Sequence, residues 1–172
     1  LPMVADIHFD YRLALRCMDG YAAKIRINPG NIGTEERVSA VIKKAQDTGT
    51  ALRIGVNSGS LPVDIRNRME QEIREGRNAE EARAAALVAG AQREAALFEK
   101  NGFRQYLVSM KASSVKETVI ANELFAAASA APLHVGVTEA GPLVSGIVKS
   151  ALAFSKLLEK NIGATVRVSL SD

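Results

Sequence analysis

The chain has 172 residues, 47% hydrophobic and 24% charged, a one-domain length with enough apolar material to bury a core and too much to stay disordered. Lys and Arg number 22 against 19 Asp and Glu, a net charge of only +3 with the signs interspersed, and aromatics make up 5% with no Trp; this excludes the basic stripe of a nucleic-acid binder and the stacking platform of a single-strand binder. One cysteine, Cys17, excludes a disulfide framework and an all-protein thiolate metal site within these residues.

Short β-rich apolar runs alternate with longer helical patterns. The first run, Met3–Ile7, precedes a short helix over Tyr11–Asp19 that stops before Gly20. The second, Lys24–Ile27, meets the tight-turn signal Asn28-Pro29-Gly30-Asn31. Thr34 then caps a helix that runs to about Thr48 and ends at Gly49. After the third run, Leu52–Val56, a very polar helix covers Asp64–Glu75, and a second one, capped by Asn78, reaches Lys100. Tyr106–Met110 leads into a helix over Ser114–Ser129, and Leu133–Thr138 into an amphipathic helix over Leu143–Lys160 with Ile147, Leu152, Leu157 and Leu158 as apolar positions. Thr165–Leu170 is the sixth run. Such alternation predicts βα units on a parallel sheet. Met3, Met69 and Met110 read as core filler, Cys17 as a small buried hydrophobe, and the Asp64–Glu81 charge run as a solvated face.

Leu1–Asp10 lacks the pattern of a secretory signal, and the Ala-rich stretch Ala79–Phe98 is broken by five charges and cannot span a bilayer. The expectation is a soluble protein of the cytoplasm with no membrane partner and no nucleic acid, or of a plastid if a transit peptide precedes Leu1.

Buried parallel strands are usually continuous Val, Ile and Leu. Here the C-terminal ends carry polar groups, often two apart: Asp6 and His8; Arg26 and Asn28; Arg53 and Asn57 around Gly55; Ser109 and Lys111; Thr138 and Glu139; Arg167 and Ser169. A spacing of two puts both side chains on one face of a strand. Polar ends on every strand suit the mouth of a (β/α) barrel better than an open doubly wound sheet, which concentrates them at one switch point. The set is rich in cations, and Asp6 and Glu139 are too few to neutralise Arg26, Arg53, Lys111 and Arg167. Buried cations need counter-charge, and arginine forks match phosphate or carboxylate. The residues therefore predict a barrel mouth for a small, strongly anionic ligand such as a phosphate or diphosphate ester, with Glu139 as the acid/base candidate.

The phrases Val4–Asp10 (VADIHFD), Arg26–Gly33 (RINPGNIG), Arg53–Leu61 (RIGVNSGSL), Val108–Ser113 (VSMKAS), Gly136–Gly141 (GVTEAG), Ser145–Ala151 (SGIVKSA) and Arg167–Leu170 (RVSL) resemble, in order, the 4-hydroxy-3-methylbut-2-en-1-yl diphosphate synthases. The resemblance implies an oxidoreductase of the non-mevalonate isoprenoid pathway that reductively opens 2-C-methyl-D-erythritol 2,4-cyclodiphosphate. It implies a barrel followed by a four-iron–four-sulfur domain, a homodimer, and ferredoxin or flavodoxin as electron donor. By position, His8, Arg26, Arg53, Lys111 and Arg167 match basic diphosphate ligands, Asn57 and Ser169 neutral donors, Asp6 and Asn28 further mouth residues, and Glu139, with His8, the residues expected to act in catalysis. The cluster's cysteines have no counterpart here, and the chain opens on what resembles the third strand. The expectation is thus an α/β fold, a partial TIM (β/α)8 barrel of about six βα units over residues 1–172, lacking the first strands and the iron–sulfur domain, with no metal ligand of its own and inactive alone. Two alternatives are a cluster-free anion-binding barrel remnant and a barrel enzyme for a phosphorylated pterin or sugar.

Overall fold

Burial alternates along Lys24–Ile27 and residues 51–54 because one strand face meets helices and the other faces inward. In the computed structural model, which describes residues 1–171, β1 is Val4–Asp6, β2 Lys24–Ile27, β3 Ala51–Asn57, β4 Tyr106–Lys111, β5 His134–Val135 and β6 Thr165–Val166. All pairings are parallel. β1 to β4 form one sheet in sequence order and β5 pairs with β6. A bridge between Val108 and Leu133 joins the two sets.

The helices are α1 (Tyr11–Asp19), α2 (Pro29–Ile32), α3 (Glu35–Thr48), α4 (Val63–Arg74), α5 (Ala79–Lys100), α6 (Val115–Ala128) and α7 (Leu143–Leu158), with a 3-10 turn at Ser58–Ser60. Their ends follow local chemistry. Asp10 accepts from the backbone N–H of Arg12, Asn78 from those of Glu80 and Glu81, and Ser114 from that of Glu117, each satisfying orphan donors of a first turn. Gly49 closes α3 with φ 67°, where a side chain would be strained.

The core lies between the outward strand face and the helices. Ile25, Ile27, Leu52, Ile54 and Met110 pack there with Val38, Ile42, Leu87, Phe98 and Phe125, all sealed from solvent. The expected α/β architecture of six parallel strands is present, with four corrections. The last two runs form two-residue strands, because beyond them pairing continues through single bonds, Thr138 N–H to Ala112 O at 3.0 Å and Ala140 N–H to Ser169 O at 3.1 Å. The turn at Asn28–Asn31 is one helical turn, with Pro29 preorganised at its start. Met3 is 69% exposed, since it lies just before β1 and contributes only its carbonyl, to Ala23 and Lys24. In α7 the buried strip is Gly146, Ser150, Ala153 and Leu157, while Ile147, Leu152 and Leu158 stay about half exposed. Small residues let α7 approach closely, so its larger apolar side chains face away from the core. Cys17 is half-buried against the core and unpaired. The charged α4 surface carries exposed ion pairs, Arg68 with Glu72 and Arg93 with Asp64. Among the described residues no helix is long and apolar enough to cross a membrane.

Candidate anion-binding site at the strand ends

All six strand ends contribute to one cleft of about 270 Å³, whose lining comprises Asp6 and His8 at the end of β1, Arg26, Arg53, Val56, Asn57, Ser109, Lys111, Thr138, Arg167 and Ser169. For the first and last strands to share a cleft the sheet must curl, as the strand-end pattern predicts. Most of the polar strand-end residues read from the sequence therefore meet in one place, and two do not join the lining. Asn28 is buried at the cap of α2 with its amide nitrogen unpartnered, and Glu139 is exposed on the loop just past Thr138.

The geometry within the cleft is specific. Arg26 donates from Nη1 to Asp6 Oδ1 at 2.9 Å and lies 3.1 Å from His8 Nε2. Because a guanidinium only donates, that contact makes His8 accept at Nε2 and places its proton on Nδ1. Arg53 pairs in register with Arg26 on the adjacent strand, and its buried Nε has no acceptor. Burial lowers the Arg53 pKa, opposed by Asp6 and reinforced by Arg26 and Arg167. Lys111 is pushed down to about 8, first by burial and then by Arg167, Arg53 and Arg26. One carboxylate thus stands among four cationic side chains in a half-buried space, an arrangement that favours an anion supplying the missing charge and acceptors.

Two loops at this end hold non-glycine residues in the left-handed region: Phe9 at φ 62°, just after His8, and Glu139 at φ 48°. Such strain collects where a site dictates backbone direction. His134 does not stand out in the sequence. It is buried on β5, its Nδ1 is 2.7 Å from Thr165 Oγ1, and its Nε2 is unpartnered. Burial, then Lys111, Arg53, Arg167 and Lys24, push its pKa down to about 3, so it stays neutral beneath the cations. Its spacing of two from Gly136 and four from Thr138 is the available signal. Ser109 and Thr138 also line the cleft, although only their strand-end positions point to them.

Comparison with known proteins bears on the fold and the family. A type I 3-dehydroquinate dehydratase from Clostridium difficile superposes with a TM-score of 0.51 over 94% of this chain and 52% of that one, at 12% identity, a likeness of fold alone. Proteins named 4-hydroxy-3-methylbut-2-en-1-yl diphosphate synthase (flavodoxin) are similar throughout: that of Treponema pallidum is 65% identical over all of this chain and 43% of its own length, and that of Treponema denticola 60% identical over all of this chain and 47% of its own. The Bacillus subtilis protein of the same name is 46% identical over 99% of this chain and 43% of its own length. The chain thus spans less than half the length of these curated relatives. The family described as the GcpE TIM-barrel domain matches residues 1–172, and this chain, with its curled parallel sheet and cationic strand ends, belongs to that family.

Proposed function

We propose that these residues form the substrate-binding barrel portion of a 4-hydroxy-3-methylbut-2-en-1-yl diphosphate synthase, and that the strand-end cleft holds the diphosphate of 2-C-methyl-D-erythritol 2,4-cyclodiphosphate. The observation that carries this reading is the buried Arg53 Nε without an acceptor, set among Arg26, Lys111 and Arg167 in one cleft. A diphosphate supplies both the counter-charge and bidentate acceptors for the forks. Asp6 orients Arg26, Arg26 fixes the tautomer of His8, and Asn57, Thr138 and Ser169 add neutral donors at the rim. Glu139, on its strained loop, is placed one residue beyond the cleft wall, and we assign it proton transfer near the substrate's hydroxyl.

A four-iron–four-sulfur cluster supplies electrons in the reaction that the resemblance implies. Among the described residues no group of three or more His, Cys, Asp and Glu side chains is placed to hold a metal. This segment therefore does not fit the cluster, and its own work is to bind and orient the anion. Flavodoxin as electron donor, a homodimer and a cytoplasmic setting belong to the same proposal; the name of the relatives supports the donor and the resemblance supports the homodimer. In the full-length protein, Lys111→Ala weakens binding of the cyclodiphosphate about tenfold or more, the scale of one charge-assisted contact, measured by calorimetry. Glu139→Gln keeps affinity within about threefold and loses most turnover, the scale of a general acid or base. Unchanged affinity in the lysine variant removes the diphosphate reading.

A further inference from the structure

Along β3 the inward positions are Ala51, Arg53, Gly55 and Asn57, and Gly55 alone has no side chain. Glycine weakens a strand interior, so its presence there marks a need. Conformation is not that need, because Gly55 is not among the residues with positive φ. Space is. A Cβ on Gly55 would stand 2.7 Å from Nη2 and 2.9 Å from Cζ of Arg26, and closer still to its Nε. The Arg26 side chain, rooted on the neighbouring strand, thus lies across the bare Gly55 backbone. From there its Nη1 reaches Asp6 at 2.9 Å and His8 at 3.1 Å, while its Nε and Nη2 have no protein acceptor among the described residues.

Gly136, also inward-facing, is different in kind. A Cβ there would strike the backbone carbonyl oxygen of Arg167, so Gly136 serves the approach of β5 to β6. At Gly55 the obstacle is only the far end of a flexible side chain. A methyl group would displace the guanidinium and leave the sheet in place.

We propose that Gly55 is a positioning residue of the anion cleft: its missing side chain is the slot that holds the Arg26 guanidinium against Asp6 and His8 in the wall of the cleft. This rests on the diphosphate reading above. The test is a double-variant cycle in the full-length protein with inorganic pyrophosphate as probe, read by calorimetry. Gly55→Ala is expected to lower affinity about tenfold, the loss of one charge-assisted contact. In an Arg26→Ala background the same change is expected to alter affinity less than about twofold, because the group it displaces is gone. A full loss in both backgrounds, or none in either, overturns the proposal. If Arg26→Ala weakens binding but Gly55→Ala does not, the slot is wrong and the diphosphate reading stands. If Arg26→Ala has no effect, both fall. Should Gly55→Ala fold poorly, recovery of folding in Gly55→Ala/Arg26→Ala supports the slot, and persistent misfolding refutes it.

Discussion

The two faces of the central strands are opposites. Ile25, Ile27, Leu52 and Ile54 point outward under the helices and are fully buried, while Arg26, Arg53 and Asn57, interleaved with them, line the cleft. TIM barrels usually fill the inside with branched apolar layers. Here the outward face carries the hydrophobic stabilisation and the inward face is given over to charge. The lesson is a division of labour at single-residue resolution: neighbours in sequence have unrelated jobs because the strand period is two.

Single substitutions separate the roles of the two faces. The largest effect is expected on the outward side. Ile54→Ala lowers unfolding free energy by about 2–5 kcal/mol through lost burial and a cavity, read by urea denaturation, and leaves the pyrophosphate affinity of the folded protein within about twofold. On the inward side, Lys111→Met does the reverse. Lys111 gives up its proton near pH 8 in the folded chain but near 10.5 unfolded, so its cost is fully present below pH 8. Between those values the unfolded state binds more protons, and stability rises with pH. Lys111→Met therefore stabilises the ligand-free protein at pH 7 by about 1–2 kcal/mol, taking about 1.4 kcal/mol per unit and discounting for partial exposure, and it flattens that rise. A destabilised methionine variant would show that the buried Lys111 charge carries no such cost.

A separate, pH-dependent effect concerns His134, which titrates near 3 when folded against an ordinary 6.5. Across that window the unfolded chain holds the extra proton, so stability falls as pH drops, by up to about 1.4 kcal/mol per pH unit. His134→Gln, which keeps a polar partner for Thr165, reduces the acid slope between pH 4 and 6. An unchanged slope assigns acid sensitivity to other groups.

Much of this organisation is legible in the sequence. Side-chain caps at Asn78 and Ser114 and the glycine at Gly49 mark helix ends by local hydrogen bonding, which sequence encodes directly. The recurrence of polar residues two apart at strand ends locates most of the cleft. What escapes depends on three-dimensional proximity. His134, between Leu133 and Val135, reads as core until its face is known. The buried strip of α7 is built from Gly146, Ser150 and Ala153, whose value lies in close approach, which hydropathy does not register. The role of Gly55 depends on where Arg26 lies, a cross-strand fact invisible along the chain.

In the proposed function the inward face binds the anion by placement, beyond mere positive charge. The direct test titrates the full-length protein with inorganic pyrophosphate and compares Arg53→Ala with Arg104→Ala, an exposed arginine outside the cleft. Both remove one charge. Arg53→Ala is expected to lose affinity about a hundredfold, the upper range for a charged hydrogen bond, and Arg104→Ala less than about twofold. Equal losses in the two variants would contradict binding by placement.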